Sequence, residues 1–449
     1  MKKIFQYIML AVVTIVMASC TSDIEETTAT TGKSNVQLVV GEFPVFGDSQ
    51  TRAIGTLDEG KTSWAEGDEL LLEIDNTSYG RHNATFTYNG SSWELTSGEL
   101  VYLEGDPAYI SHVYYAPNYK WEAGKLVLKE GKDPGTDEYI EGKARITGNG
   151  ETITVSFAEA TRKYSRLRIA TLPNEQITVD TEYFTPAGSS DMEQNGNYTL
   201  TSDEKGNAYL YGTFENNSEV TVKYREAALT TYTFSQATES AKSYALDATV
   251  ISANSAEEIK SAIEQKVADG KTTIRLNLAP NAGTNEFMAI REAIKGAAPN
   301  DLGTIELTII GVETIPEEAF YKMLQLKSVR MSDVKEIKKY AFKECQYLTV
   351  VEAPSLNKLC SGAFKKCDQL AKLTFGPINY ADERNWPIFE YITQNIDLIL
   401  SDYQKEMIET DSYLYTANND RDYAGSDEHN SKNFLGREFR SITCRYKVK

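Results

Sequence analysis

The sequence predicts a multidomain chain with all-β sandwiches in the N-terminal half and an α+β solenoid in the C-terminal half. Between residues 36 and 250, short runs alternate apolar and polar residues and end at turn residues, which is typical of antiparallel strands. After residue 305, apolar residues recur every 22 positions, which indicates coils that stack on one another. The 449 residues are enough for roughly two to four domains.

The N-terminus predicts export and lipid anchoring. Lys2 and Lys3 precede an apolar run of ten residues, Ile8–Met17, which is too short to span a bilayer but suits a signal peptide. The following residues, 17–20, resemble the lipobox of bacterial lipoproteins, so we expect residues 1–19 to be removed and Cys20 to be acylated, for example with palmitate. The alternative is an ordinary secretory signal that contains Cys20.

Residues 20–35 predict a flexible tether, because a segment rich in Thr and acidic residues buries too little apolar area to order itself. Asp23, Glu25 and Glu26 resemble the acidic export signals of surface lipoproteins, and a plain solvated linker is the alternative. We therefore expect a chain anchored to the outer membrane by lipid alone and facing the cell exterior.

Residues 36–160 and 161–250 predict two successive β-sandwiches. Val220, Val222 and Tyr224 alternate with polar residues, as expected for a strand with one buried face. Asn89-Gly90 lies between two apolar runs, which predicts a hairpin because both residues tolerate positive φ.

Four motifs of this region, at residues 51–53, 64–68, 86–95 and 113–117, resemble those of the fimbrillin-like lipoproteins. The resemblance implies two β-sandwich domains, and in some members polymerisation into fimbriae by donor-strand exchange after a protease cuts at an Arg near the mature N-terminus. Arg52 is the corresponding candidate processing site here. The alternative is an exposed Arg beside a first strand.

Composition and motif context argue against several function classes. Residues 55–62 match the P-loop pattern, but the expected helix after them is interrupted, and residues 420–425 begin like an EF-hand without its later ligands. The net charge of −19 argues against nucleic-acid binding. With three His residues and no surviving catalytic or metal motif, we expect no catalytic residues, no metal, no cofactor and no enzymatic activity.

Seven apolar columns keep the 22-residue step. They are Val312, Val334, Leu356; Ile315, Ile337, Leu359; Phe320, Phe342, Phe364; Met323, Cys345, Cys367; Leu326, Leu348, Leu370; Val329, Val351, Leu373; and Met331, Ala353, Phe375. A period of this length predicts a leucine-rich solenoid over residues 305–378. The columns resemble BspA-type leucine-rich repeats, which occur in many surface and secreted proteins.

The cysteine column predicts the state of two thiols. Cys345 and Cys367 occupy a core position, where Cys acts as a small hydrophobe, although stacked neighbours are also close enough for a disulfide. Free buried thiols are the preferred interpretation. Cys360 and Cys444 have no assigned role.

The segments on both sides of the repeats predict caps, at residues 251–304 and 379–449. Ser255 and Glu258 form a capping box that starts a helix ending at Gly270, and a strand and a second helix over 286–295 follow. Beyond the repeats, residues 396–400 and the C-terminal stretch predict two final strands.

Residues between the core positions of each repeat strand predict a binding face. The candidate ligand face consists of Ser328, Arg330, Val350, Glu352, Lys372 and Thr374. From Ile315 to Phe375, 11 basic residues stand against 7 acidic ones, a net charge of +4 that suits an acidic partner or simply forms a solvated stripe of lysines.

These features predict a lipid-anchored, adhesin-like surface protein that presents the repeats to a host or bacterial surface protein or a glycan. The first alternative is a structural or accessory subunit of fimbriae, and the second is a polysaccharide-acting enzyme.

Overall fold

The computed structural model describes residues 37–48, 60–76, 80–98, 108–147, 152–156, 162–382, 388–401, 433–435 and 437–446. Within these ranges the chain is mostly β, with two α-helices and several sheets. The predictions for Cys20, Arg52, residues 420–425 and most of 55–62 lie outside the described residues.

The N-terminal sheet has seven strands. In spatial order they are Gln37–Val40, Thr152–Ser156, Ile140–Thr147, Ala108–Tyr115, Glu69–Asn76, Gly80–Tyr88 and Trp93–Gly98. All neighbours are antiparallel except the first pair, which is parallel. The two edge strands also contact each other, so one sheet supplies both walls of an apolar core. A hairpin of Tyr119–Glu122 and Lys125–Leu128 packs on its outer face.

The hairpin predicted at Asn89-Gly90 is confirmed. Gly90 has a φ of 92°, and the Asn89 side chain accepts hydrogen bonds from the backbone N–H groups of Ser91 and Ser92. The apolar residues that flank the turn, Phe86 and Leu95, are buried in the sheet core.

The central sheet follows. In spatial order its strands are Ala227–Thr233, Glu219–Tyr224, Gln176–Pro186, Asn207–Phe214, Ser165–Ala170, Lys242–Asp247 and Gly47–Asp48, with Glu193–Thr201 paired to Gln176–Pro186. The alternating residues Val220, Val222 and Tyr224 are buried as predicted. Gly47–Asp48 joins this sheet although it precedes most of the N-terminal sheet in sequence. The two β regions are therefore linked by an early strand segment.

The C-terminal half is built on two parallel sheets. The large repeat sheet has the strands Ile251–Ala253, Thr273–Leu278, Ile305–Ile310, Leu326–Met331, Val350–Ala353, Lys372–Phe375, Asp397–Ser401 and Ser441–Tyr446 in that order. The small repeat sheet has Thr314–Ile315, Glu336–Ile337, Lys358–Cys360 and Tyr380–Asp382. The strands Asn433–Phe434 and Arg437–Glu438 form a separate pair. We call residues 305–401 with these two sheets the repeat stack.

All seven predicted columns are buried, with exposed fractions of 0–1%. Parallel pairing follows the predicted register, for example Val329 with Val351 and Val351 with Leu373. Phe320, Phe342, Phe364 and Phe389 stack with ring centroids 5.1, 5.4 and 5.7 Å apart. Beyond Gly376 the stack continues with a longer coil, since Leu373 pairs with Leu398, 25 residues later.

The predicted N-terminal helices are confirmed as Ala256–Ala268 and Thr284–Ala297. The Ser255 side chain accepts from the Glu258 N–H at 3.3 Å, and the Glu258 side chain accepts from the Asn254 N–H at 2.9 Å. Both helices lie between strands of the large repeat sheet in sequence, and their buried apolar residues join the core of the stack. The two predicted C-terminal strands also pair with this sheet, as Asp397–Ser401 and Ser441–Tyr446.

Candidate binding face

The large repeat sheet brings all six predicted face residues together. Ser328, Val350 and Lys372 form one row across three neighbouring strands, and Arg330, Glu352 and Thr374 form the next row. Their side chains are half-buried or exposed, whereas the residues between them in each strand are in the core. The rows are a direct consequence of the 22-residue step, which keeps every strand in register with the next.

Charges on this face are mostly compensated within it. Arg330 Nε lies 3.0 Å from Glu352 Oε2 in the neighbouring strand. Lys372 is adjacent to Asp397, whose pKa is lowered to about 2 because Arg440 and Ser441 donate hydrogen bonds to its carboxylate. The face therefore presents a largely polar surface on which most charges are paired.

The central sheet covers one end of this face. Strand residues Leu229–Thr231 close a cavity of about 160 Å³ against the large repeat sheet, and Ser328 and Arg330 line it. Arg275, which is 6% exposed, donates from Nε to the Leu229 carbonyl at 2.6 Å. The open part of the face is thus carried by Val350, Glu352, Lys372 and Thr374.

Sequence reasoning missed Arg275 and Leu229 as determinants of the face. Arg275 lies on the polar side of the alternating strand Thr273–Leu278, together with Thr273 and Asn277, so the sequence pattern alone predicts a solvent-facing side chain. Its burial depends on the Leu229 carbonyl group, 46 residues away in sequence, which no local pattern identifies.

The cysteines of the repeat column are free thiols, as preferred from the sequence. Their Sγ atoms lie 2.9 Å and 3.0 Å from the carbonyl oxygens of Phe320 and Phe342, one coil away. Burial raises the pKa of Cys345 to about 12 and that of Cys367 well above its ordinary value. Both thiols are therefore packing residues.

The described part of the chain contains no cluster of three or more His, Cys, Asp or Glu side chains placed to hold a metal ion. None of the helices in the described ranges has the length and apolarity needed to cross a membrane.

Comparison with known families supports the repeat assignment. Residues 302–416 match the BspA type leucine-rich repeat region, in six copies. The match confirms the predicted repeat type and extends past Gly376, in agreement with the longer coil in the stack. No curated protein matches the chain.

Two solved structures show weak similarity to the chain. A candidate cell adhesion protein from Bacteroides fragilis has 10% identity and a TM-score of 0.28, covering 48% of this chain and 93% of its own. The minor pilin GBS52 of Streptococcus agalactiae has 9% identity and a TM-score of 0.17, covering 48% and 94%. At these scores neither structure informs the fold or the function of this chain.

Proposed function

We propose that this chain is a lipid-anchored cell-surface interaction protein that presents a leucine-rich-repeat solenoid on a stalk of β domains. The observation that carries the proposal is the in-register array of outward side chains on the large repeat sheet, within the stretch that matches BspA type repeats. A rigid, repetitive sheet face suits recognition because its side chains are held in place before a partner arrives.

The proposed domain organisation follows the sequence prediction through residue 304: signal peptide 1–19, tether 20–35, fimbrillin-like β-sandwich 36–160, second β-sandwich 161–250 and cap 251–304. We extend the repeats, predicted over 305–378, through the strand Asp397–Ser401, because this strand pairs with Lys372–Phe375 and lies within the matched region, and we shorten the predicted cap 379–449 accordingly. The proposed location is the outer membrane, with Cys20 acylated and the repeats facing outward. Protease shaving of intact cells tests this location. We expect shaving to remove the protein, and Cys20→Ala to release it into the medium. A protein that resists shaving contradicts surface display.

The binding role of the open face is tested by adhesion of cells that express the chain to epithelial monolayers. Thr374→Arg places a large cation on the face, and Thr199→Arg is the matched control on an exposed strand position of the central sheet. We expect Thr374→Arg to reduce adhesion and Thr199→Arg to leave it unchanged. Equal adhesion of both variants and the parent contradicts a role for this face.

A fimbrial subunit is the second candidate function. The observation that favours it is the position of two segments that precede Arg52: Gln37–Val40 and Gly47–Asp48 are edge strands of the N-terminal and central sheets. Cleavage at Arg52 would release both and expose two sheet edges to a neighbouring subunit. Ladders of polymers in cell extracts that disappear in Arg52→Ala would support this function, and an uncleaved monomer would exclude it.

A further inference from the structure

A second surface of the repeat stack lies on the turns that lead from the small repeat sheet to the large one. It combines lysines with tyrosines, and we call it the lysine–tyrosine ladder. Its members are Tyr321, Lys322, Lys339, Tyr340, Lys343, Lys365, Lys366 and Tyr391. It is distinct from the candidate binding face, which lies on the strands of the large sheet.

Lysine ammonium groups lie over the tyrosine rings along this ladder. Lys343 Nζ is 5.0 Å from the ring centroid of Tyr321 and 4.8 Å from that of Tyr340, so it bridges two rings. Lys322 lies 5.3 Å from Tyr321. At the far end, Lys365 lies 5.3 Å from Tyr391. These cation–π contacts hold flexible side chains in a defined row.

The backbone beneath the ladder is also held in place. The N–H of Lys322 donates to the Lys343 carbonyl at 3.0 Å, and the N–H of Lys366 donates to the Glu390 carbonyl at 2.9 Å. Successive coils are spaced by the phenylalanine stack below, with centroids 5.1–5.7 Å apart. The ladder is therefore a preorganised row with at least one lysine on each of three successive coils.

Two of the tyrosines occupy costly backbone positions. Tyr340 and Tyr391 have φ values of 58° and 61°, in the left-handed region that disfavours aromatic residues. The equivalent of Tyr340 in the next coil is Gly362, with φ 62°. One coil earlier the same position is Glu318, with φ 55°, so the left-handed conformation belongs to the repeat turn and Tyr340 presents its ring from that turn. The Tyr391 side chain is also 64% exposed, the largest exposure among the large apolar residues described.

The ladder carries more positive than negative charge. Two carboxylates pair with its five lysines: Glu344, with contacts of 3.6 Å to Lys322 and 4.0 Å to Lys343, and Glu390, 2.6 Å from Lys365. The turn of the first coil also carries the exposed Glu317 and Glu318, so the positive charge lies mainly on the second and third coils. The whole chain has a formal charge of −19. An anionic partner is thus attracted to this surface and repelled by the chain as a whole.

We propose that the lysine–tyrosine ladder binds an acidic polysaccharide, a linear chain of sugar rings that carry carboxylate or sulfate groups. Lysines that the tyrosine rings hold in place pair with the anionic groups, and the exposed ring of Tyr391 contacts the apolar face of a sugar. Duplex DNA carries one negative charge per about 1.7 Å of its axis. The ladder offers only one or two lysines on each coil, so its positive charges are more widely spaced and match a polymer of lower charge density. The proposal goes beyond the proposed function because it concerns a different surface and partner class.

Binding of the purified full-length chain to immobilised heparin and polygalacturonate tests the proposal, with neutral dextran as the polymer control. The ladder variant combines Lys343→Gln, Lys365→Gln and Lys366→Gln. The matched control combines Lys125→Gln, Lys205→Gln and Lys260→Gln, which removes the same charge from exposed sites elsewhere. We expect salt-sensitive binding to at least one acidic polymer, weakened roughly tenfold in the ladder variant and little changed in the control.

Tyr340→Gly separates binding from folding. Glycine suits the left-handed backbone at this position, so this variant should fold at least as stably as the parent while binding acidic polymer more weakly. Circular dichroism melting checks the fold. The proposal is overturned by equal binding of the ladder variant and the parent, by equal loss in the control triple variant, by equal retention on dextran, or by tighter binding to DNA. None of these results bears on cell adhesion through Thr374, so the two proposals fail separately.

Discussion

The repeat stack and the N-terminal half bury their side chains in different ways. In the stack, one apolar cluster runs from Ala253 to Phe439, and each coil contributes equivalent residues to the same columns. In the N-terminal half, two sheet cores are joined through a buried polar cluster. Arg162, 1% exposed, pairs with Glu138 and donates to the Pro44 carbonyl at 2.7 Å. Tyr164 donates to the same Glu138 carboxylate at 3.1 Å.

The two halves differ in how far apart in the sequence the contacting residues lie. Stack contacts repeat between neighbouring coils, so a periodic sequence specifies them. Arg162 instead binds partners 24 and 118 residues away, at the contact between the N-terminal and central sheets. A buried ion pair stabilises little in itself, but loss of one partner leaves an isolated buried charge. We therefore expect the N-terminal half to depend on single residues and the stack to depend on its columns.

The largest expected effect is on thiol reactivity inside the stack. A pKa of about 12 leaves Cys345 with about a thousandfold less thiolate at pH 8 than an ordinary thiol, and its burial blocks access. Cys345 and Cys367 should resist iodoacetamide in the native protein and react after unfolding in urea. Half-buried Cys360 is the internal comparison, and mass spectrometry locates the labels. Rapid native labelling of Cys345 would contradict a closed stack core.

The second largest expected effect is on the stability of the N-terminal half when the buried polar cluster is broken. Arg162→Ala should lower the free energy of unfolding of the N-terminal half by about 3–5 kcal/mol, because Glu138 stays buried without its cation. Urea unfolding followed by tryptophan fluorescence measures this, since Trp64, Trp93 and Trp121 are three of the four tryptophans. Replacing both partners, as Arg162→Met with Glu138→Leu, should cost much less. A loss below about 1 kcal/mol in Arg162→Ala would show that the cluster does not couple the sheets.

A core substitution in the stack measures the stability of the stack, for comparison with the effect of Arg162→Ala on the N-terminal half. Leu348→Ala opens a cavity in a column with 0% exposure and should cost about 2–5 kcal/mol. Far-UV circular dichroism in urea should show earlier unfolding of the stack, while the tryptophan signal of the N-terminal half keeps its midpoint. A common shift of both signals would mean that the two halves unfold together, which would contradict the expectation that each half depends on its own residues.

The smallest expected effect comes from removing the N-terminal cap of the helix Ala256–Ala268. Ser255→Ala removes the side chain that caps Ala256–Ala268 and should cost about 1 kcal/mol, whereas Ser255→Gly should cost only a few tenths. Thermal melting measured by circular dichroism distinguishes the two variants. Equal melting temperatures for Ser255→Ala and the parent would show that packing, and not the cap, holds this helix.

The predicted features that the structure confirms are local or periodic. The Asn89-Gly90 hairpin, the helix that Ser255 caps and the buried repeat columns each depend on residues close in sequence or related by a fixed step. The candidate face was predicted for the same reason, since alternate residues of a strand point to opposite sides. The lysine columns were visible in the sequence as well, but their contacts with tyrosine rings depend on the turn geometry.

The sequence by itself determined that the chain has a β-rich N-terminal half, a stack of 22-residue coils and two rows of face residues, one starting at Ser328 and one at Arg330. Only the tertiary structure decided that Gly47–Asp48 joins the central sheet, that Arg162 pairs with Glu138 and that Leu229–Thr231 covers one end of the face. The physical reason is that periodicity encodes contacts between neighbouring coils. Contacts between distant segments depend on how whole sheets pack, and no single run of residues specifies that packing.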